Sequence, residues 1–139
     1  QFDDTLSVAQ VAERIGISKT ACWRRIKNLT DSKIIKQRVA LVEPSAVNLP
    51  LTVFISIRTN RHNDEWVKQF KDVLTSLPQI LETYRMSGDL DYLLKAVVTD
   101  MPDYDRLYKQ LIKADIFDVS SSFVMEELKY MTQLPLDKV

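Results

Sequence analysis

The sequence has little of the chemistry on which most enzymes and metal sites depend. Its 139 residues include one cysteine, Cys22, one histidine, His62, and two glycines. A single cysteine cannot form an internal disulfide, and one histidine cannot build a metal cluster. The sequence contains no nucleophile beside a base and no Gly-rich phosphate loop. These absences argue against an enzyme and predict neither a cofactor nor a metal.

Long apolar runs are also missing. No stretch approaches the roughly 18 apolar residues that a membrane-spanning helix needs, and no signal peptide is visible. Together with the unpaired Cys22, this predicts a protein of the reducing cytoplasm that has no membrane partner. The apolar and charged fractions, 45% and 27%, are those of an ordinary globular protein with one domain or two small ones.

The charges are balanced overall but unevenly distributed. The formal net charge is zero, yet residues 1–43 carry eight Lys and Arg against five Asp and Glu, whereas residues 44–139 carry eleven against fourteen. Residues 14–38 contain eight cations and one acid, Asp31. A basic first part before a mildly acidic remainder indicates that the first part binds a polyanion. The alternative is a solvated helix face.

Residues 7–29 have the pattern of two short helices joined by a glycine turn. Ser7 and Ser18 are suited to cap the two helices, and Gly16 is suited to end the first. The narrow apolar face of the second helix consists of three residues at helical spacing: Cys22, Ile26 and Leu29. A helix-turn-helix of this kind places its second helix in the major groove of double-stranded DNA.

The polar side chains of the second helix must lie largely off that apolar face. Arginine pairs bidentately with guanine edges or phosphates, and lysine, serine and threonine suit phosphate contacts. Trp23 either fills the core against another helix or lies against the DNA backbone. Lys36 and Arg38, in the segment after the helix, can contact phosphates beside the main site. The predicted DNA-binding residues are Ser18, Lys19, Thr20, Trp23, Arg24, Arg25, Lys27, Asn28, Lys36 and Arg38.

The later part of the chain has the pattern of an α+β domain. Two prolines mark residues 43–50 as a hinge, between a DNA-binding domain with a linker strand at 1–42 and a second domain at 51–139. In the second domain we predict strands at 51–58, 80–87, 92–99 and 119–128, and helices capped near Asn63 and opened by Pro102. This β-α-β-β-α-β order predicts an antiparallel sheet with both helices on one face. The uncovered face predicts a homodimer.

The combination of these parts resembles the Lrp/AsnC family, the feast/famine transcription regulators of bacteria and archaea. The resemblance rests on SKTACWRRIKNL in the helix-turn-helix, ALVEPSAVNL in the linker and SGDLDYLLK in the second domain. It implies a winged helix-turn-helix followed by a ferredoxin-like effector and oligomerisation domain. It also implies homodimers that assemble further, often into octamers. An amino acid or related small molecule would bind between second domains and alter assembly or DNA affinity.

The resemblance also implies an effector site at the glycine–aspartate turn, residues 87–91. Gly88 lets the backbone approach a ligand, free N–H groups can hold a carboxylate, and Asp89 or Asp91 can hold an ammonium group. The simpler interpretation is a plain hairpin turn. Serines on the last strand are weaker candidates. The predicted effector-binding residues are Ser87, Gly88, Asp89, Leu90, Asp91, Ser121 and Ser122.

The chain departs from the family pattern in several places. The family has a helix where this sequence has QFDDTL, so we expect a DNA-binding domain that lacks most of its first helix. Lys33 and Asn48 stand where the family usually or often has glycine, and Leu90 replaces a commonly aromatic residue. Two other functions remain open from the residues. One is a small-molecule-binding or enzymatic domain with a non-functional first part, and the other is an architectural DNA-binding protein without an effector.

Overall fold

The computed structural model describes residues 5–61 and 63–136, which belong to two compact units. The first unit comprises the residues up to Leu41 together with those from Leu128, and the second is Val42–Glu127. The sequence prediction had placed the residues from Leu128 in the second domain. The hydrophilic run RTNRHND predicts a solvated loop or a helix cap at His62, a residue that lies outside the described residues.

The described residues of the first unit form two α-helices, α1 (Val8–Arg14) and α2 (Lys19–Asp31). The Ser7 and Ser18 hydroxyls accept hydrogen bonds from backbone N–H groups of the first turns, and Gly16 has a φ of 67°, so all three predicted helix signals are confirmed. Cys22 is buried, as predicted for the apolar face of α2, but Leu29 is 39% exposed. The buried stripe of α2 is therefore shorter than its sequence spacing indicated.

The segment after α2 turns at Lys33, whose φ is 59°, and then forms no strand within residues 36–43. The predicted linker strand is wrong in the described part of the chain. A strand needs a neighbour for its ladder of hydrogen bonds, and extended residues without one remain irregular. Asn48, with a φ of 62°, follows a short 3-10 helix at Pro44–Val47. Both sites where the family pattern has glycine thus have left-handed backbone.

Replacing Lys33 with glycine is expected to raise the free energy of unfolding by about 0.5–1 kcal/mol. A side chain in the left-handed region costs roughly 1–2 kcal/mol, and the extra freedom of glycine in the unfolded chain offsets part of that gain. Asn48→Gly is the control, because asparagine tolerates this region and little change is expected. Urea unfolding followed by circular dichroism measures both. A Lys33→Gly protein no more stable than the parent would contradict the strain.

The second unit is a four-stranded antiparallel sheet with two helices. Its strands lie in the order β2-β3-β1-β4. Their bounds are Leu51–Arg58 for β1, Ile80–Arg85 for β2, Tyr92–Val98 for β3 and Asp118–Phe123 for β4. The helices are α3 (Asp64–Thr75) and α4 (Met101–Leu111), and a 3-10 turn (Ile112–Ala114) follows α4. This confirms the predicted α+β, β-α-β-β-α-β arrangement.

The core lies between the helices and one face of the sheet, which we call the covered face. The inward residues of β1 are fully buried there, and Phe70 of α3 stacks on Trp66 with ring centroids 4.9 Å apart. The Trp66 indole N–H donates to the Ala114 carbonyl at 2.7 Å, so even its polar atom is satisfied. Strand alternation then directs the residues of β1 between them, such as Phe54, to the opposite face, which we call the open face.

Two predicted details of this unit are wrong. The helical spacing of the apolar residues after Pro102 predicts Ile112 on the apolar side of α4, but Ile112 is 42% exposed because the helix gives way to the 3-10 turn at that residue. The last strand ends at Phe123, not at residue 128. Its last bond to β1 runs from the Val124 N–H to the Thr52 carbonyl. Just before β1 stands Pro50, which has no N–H with which to extend the ladder.

Candidate DNA-binding and effector sites

The outward surface of α2 is polar and cationic. Helix geometry advances about 100° per residue, so Arg24 lies about 160° around the axis from the buried Cys22. Thr20, Lys27 and Asn28 are on the same outward side, and all three are exposed. Arg25 is exposed too, but it lies only about 60° from Cys22, at the edge of the buried stripe. Arg24 and Arg25, which the sequence predicted together as DNA contacts, therefore lie at different positions around the helix.

Trp23 borders this surface and is 55% exposed. The alternative that it fills the core is wrong among the described residues. The Lys27 ammonium lies 5.5 Å from the Trp23 ring centroid, a cation–π contact that holds an apolar ring beside a positive charge. Trp23 also lines a shallow groove of about 290 Å³ with Val8, Lys19 and Thr20. The predicted residues at the start of α2 thus share one surface.

The charge of this surface is not neutralised within residues 5–61 and 63–136. Arg24 and Arg25 form no salt bridge there, and neither does Lys36, which is exposed after the turn at Lys33. Arg38 is exposed as well, but it is not one of the unpaired cations. Unpaired cations on an exposed helix attract an anionic partner without first losing an internal ion pair.

The glycine–aspartate turn is the connection between β2 and β3. Gly88 has a φ of 107°, a conformation that favours glycine. The Met86 N–H donates to the Asp91 carbonyl at 2.8 Å and closes the turn. The Asp91 N–H donates to the Ile57 carbonyl at 3.0 Å, and the Asp91 carboxylate accepts from the Thr59 N–H at 2.7 Å. The turn is therefore fastened to the end of β1.

These bonds distinguish the two aspartates that the sequence left as alternatives. The Asp91 carboxylate already holds the N–H of Thr59, a residue only 7% exposed. Asp89 is exposed, and within the described residues its carboxylate has no hydrogen-bond or ion-pair partner. Its carbonyl oxygen accepts from the Arg58 Nε at 3.0 Å. Arg58 and Thr59 are contacts that the sequence did not single out, because an arginine ending a strand carries no distinctive pattern.

The sheet does not bring the predicted serines to this turn. Ser121 pairs with Ile55 on the covered face, where its hydroxyl accepts from the Tyr104 hydroxyl at 2.5 Å. Ser122 pairs with Phe54 and lies on the open face. Asp118 is the β4 residue opposite Arg58, and about 3.4 Å per residue puts the two serines roughly 10–14 Å farther along the strand. They cannot share one pocket with the turn in a single chain.

The open face carries apolar side chains and one charged cluster. Phe54 is 37% exposed, and Leu93 beside it is partly buried. The Glu82 carboxylate accepts from the Tyr84 hydroxyl at 2.5 Å and from the Lys95 ammonium at 3.3 Å. The Tyr84 bond first, and then the charge and bond of Lys95, hold the pKa of Glu82 below its ordinary 4.5. Glu82 raises the pKa of Tyr84 in return.

The lowered pKa of Glu82 determines how this residue changes the stability of the fold with pH. Its pKa is lower in the folded chain than in the unfolded chain, so the stabilisation is present above pH 4.5 and is lost as pH falls through the folded value. The contribution linked to the lowered pKa of Glu82 is therefore absent in strong acid.

The described residues contain no group of three or more His, Cys, Asp or Glu side chains suited to a metal ion. No helix among them is long and apolar enough to cross a membrane.

Comparison with known proteins identifies both units. The family model of the Lrp/AsnC ligand-binding domain matches residues 52–134, and that of a winged helix-turn-helix DNA-binding domain matches residues 3–36. This chain belongs to the Lrp/AsnC family. As a member, it is a DNA-binding transcription regulator with a ligand-binding domain, and not an enzyme.

Known proteins are similar to this Lrp/AsnC chain over nearly its whole length. The glutamate uptake regulatory protein of Zymomonas mobilis is 44% identical over 98% of this chain and 84% of its own length. An AsnC family transcriptional regulator from Agrobacterium tumefaciens has 51% identity and a TM-score of 0.90, covering 98% and 90% of the two chains. A Neisseria meningitidis transcriptional regulator in complex with L-methionine has 33% identity and a TM-score of 0.89, covering 96% and 88%.

Proposed function

We propose that this Lrp/AsnC regulator binds specific DNA sequences through α2 and changes its DNA affinity when an amino acid binds at the glycine–aspartate turn. The observation that carries the first half is the exposed, unpaired cationic surface of α2. Arg24 is the base-reading residue, because it lies at the centre of that surface. The other predicted contacts surround it and serve mainly to hold phosphates: Ser18, Lys19, Thr20, Trp23, Arg25, Lys27, Asn28, Lys36 and Arg38.

Two observations support the proposed amino-acid binding: the structure of the glycine–aspartate turn and the ligand of one similar protein. The regulator from Neisseria meningitidis is a complex with L-methionine, so an amino acid is the ligand class that we propose here. Asp89 holds the ammonium group, and backbone N–H groups of Ser87, Gly88 and Leu90 are suited to a carboxylate. Asp91 shapes the turn through Thr59. Leu90, in place of a commonly aromatic residue, alters the fit to the ligand side chain.

A homodimer is the assembly that we propose, with octamers formed from dimers. The open face supports it, because a second copy would cover Phe54 and Leu93. Such a copy would also bring a second α2 to a second half-site of the DNA. Ser122, which lies on the open face, then enters the effector site from the other copy. Ser121 is left out, because its hydroxyl is bonded to Tyr104 on the covered face. We propose that this regulator is located in the cytoplasm, where its partner, DNA, is found.

The mechanism is a shift between two arrangements of the assembled chains. An amino acid that binds one arrangement more tightly raises its population, and DNA affinity changes with it. The ligand acts by its differential affinity for the two arrangements, so an amino acid that binds both equally has no effect on DNA binding.

A binding experiment separates this function from architectural DNA binding. Duplexes enriched by the protein from a random pool, and scrambled duplexes of equal composition, are compared by fluorescence anisotropy between 50 and 300 mM salt, over which the Debye length falls from roughly 14 Å to roughly 6 Å. We expect the enriched duplex to bind at least 10³-fold more tightly at physiological salt. Equal affinities with a steep salt dependence would instead indicate an architectural protein. Sedimentation velocity on the same samples tests the homodimer.

A further inference from the structure

Arg58 makes two contacts that reach across the edge of the second unit. It is the last residue of β1, and strand alternation places it on the open face, like Phe54. Its Nε donates to the Asp89 carbonyl at 3.0 Å. One of its terminal nitrogens lies 3.7 Å from the Asp118 carboxylate, the first residue of β4. One side chain at the end of β1 therefore contacts two other elements: the glycine–aspartate turn and the start of β4.

We propose that Arg58 is a positioning residue, which holds the glycine–aspartate turn in the conformation that binds the effector. This inference rests on the proposed effector function of the turn. The bond from Nε reaches the peptide of Asp89 itself, the residue whose carboxylate is free to bind an ammonium group. On the other side of the turn, Asp91 is fixed by Ile57 and Thr59. Without Arg58, the Asp91 side would remain fastened while the Asp89 side would lose its anchor.

The Nε contact carries this role more than the charge does. A donor–acceptor distance of 3.0 Å is a good hydrogen bond, whereas an ion pair of 3.7 Å between side chains that are each 52% exposed contributes little. Two substitutions separate the two properties. In Arg58→Gln the side-chain amide nitrogen stands the same number of bonds from the backbone as Nε, so the donor is kept and the charge is lost. In Arg58→Lys the charge is kept, but a methylene occupies the place of Nε.

The first measurement needs no ligand. Hydrogen–deuterium exchange by mass spectrometry follows peptides that cover residues 86–91 in the full chain. We expect about tenfold faster exchange in Arg58→Ala and Arg58→Lys, and exchange near that of the parent in Arg58→Gln. Asp118→Asn, which removes the weaker contact, is expected to change it less than twofold. Unchanged exchange in Arg58→Ala would overturn the proposal, and so would rescue by lysine but not by glutamine.

The second measurement follows binding of the twenty common L-amino acids by isothermal titration calorimetry. For whichever amino acid the parent binds, we expect the Kd to rise about tenfold in Arg58→Ala and Arg58→Lys and less than threefold in Arg58→Gln. Arg61→Ala is the matched control. This substitution removes the exposed ion pair between Arg61 and Asp115, whose charged atoms are 2.9 Å apart. The pair does not contact the turn, so the Kd of Arg61→Ala should match that of the parent.

The two measurements distinguish the failure of Arg58 from the failure of the effector. If the parent binds none of the twenty amino acids, the proposed amino-acid effector is wrong, and the exchange experiment alone decides the role of Arg58. If the parent binds one of them and Arg58→Ala binds it equally well, Arg58 does not position the turn. A thermal unfolding midpoint that falls equally in Arg58→Ala and Arg61→Ala, with no difference in exchange, would also overturn the inference.

Discussion

Arg24→Ala is expected to weaken binding to the enriched duplex by roughly 5- to 150-fold, which corresponds to about 1–3 kcal/mol. Arg24 lies about 160° around the helix axis from the buried Cys22, and in the proposed function its guanidinium contacts a base edge. Removing it should also relax the preference at one base pair. The scrambled duplex should lose far less affinity, because a base contact contributes little to non-specific binding.

Arg25→Ala is the matched control for that experiment. The two side chains have the same chemistry and are adjacent in sequence, but Arg25 lies at the edge of the buried stripe of α2. We expect about threefold weaker binding or less, equally for both duplexes, as for a phosphate contact. Fluorescence anisotropy at one fixed salt concentration measures all four combinations. If Arg25→Ala abolishes the sequence preference while Arg24→Ala keeps it, the orientation inferred for α2 on DNA is wrong.

Asp89→Ala and Asp91→Ala are expected to impair different properties: the first lowers the affinity for the amino acid, and the second lowers the stability of the fold. Asp89→Ala should raise the Kd of the amino acid at least tenfold and leave the free energy of unfolding within about 0.5 kcal/mol of the parent, because its exposed carboxylate has no internal partner among the described residues. Asp91→Ala should cost about 1–3 kcal/mol of stability, because it leaves the Thr59 N–H without its acceptor in a buried residue.

Asp89→Asn provides the control for charge, since it keeps the shape and size of the side chain. Its Kd should resemble that of Asp89→Ala if the carboxylate pairs with an ammonium group. Calorimetry with the bound amino acid and urea unfolding together separate the two aspartates. Amino-acid binding that survives in Asp89→Ala would exclude Asp89 as the ammonium partner. A fully stable Asp91→Ala protein would show that the Thr59 contact is dispensable.

Much of the fold follows from local sequence signals. Ser7, Gly16 and Ser18 act on their own neighbours, so the ends of α1 and the start of α2 are visible without any tertiary information. The alternation of β1 likewise depends only on which residues are apolar. Lys33 and Asn48, the two positions at which the resemblance implied glycine, have positive φ values, a conformation that glycine adopts most freely.

Several features could not be predicted from the sequence, because they depend on residues far away along the chain. The extent of β4 depends on Pro50, which precedes its partner strand, and no pattern within residues 119–128 records that. Ser121 and Ser122 are adjacent in sequence, yet the pleat directs them to opposite faces of the sheet. The distinction between Asp89 and Asp91 required the position of Thr59, which is 32 residues from Asp91.

Exposed residues were the least predictable of all. Trp23 has the size and hydrophobicity of a core residue, but its position on α2 is about 100° around the axis from Cys22, outside the buried stripe. Arg58 has no signal in the sequence, since its partner is a backbone carbonyl that any residue could provide. Every residue has such a carbonyl, so no sequence pattern indicates a contact between Arg58 and residue 89.

The most direct test of the central claim is the coupling between the amino acid and DNA. The Kd for the enriched duplex is measured by anisotropy with and without a saturating amino acid, and the Kd of that amino acid is measured with and without saturating DNA. We expect both Kd values to change by the same factor, about 5- to 150-fold, because linkage is reciprocal. An amino acid that binds the protein but leaves DNA affinity unchanged would contradict it.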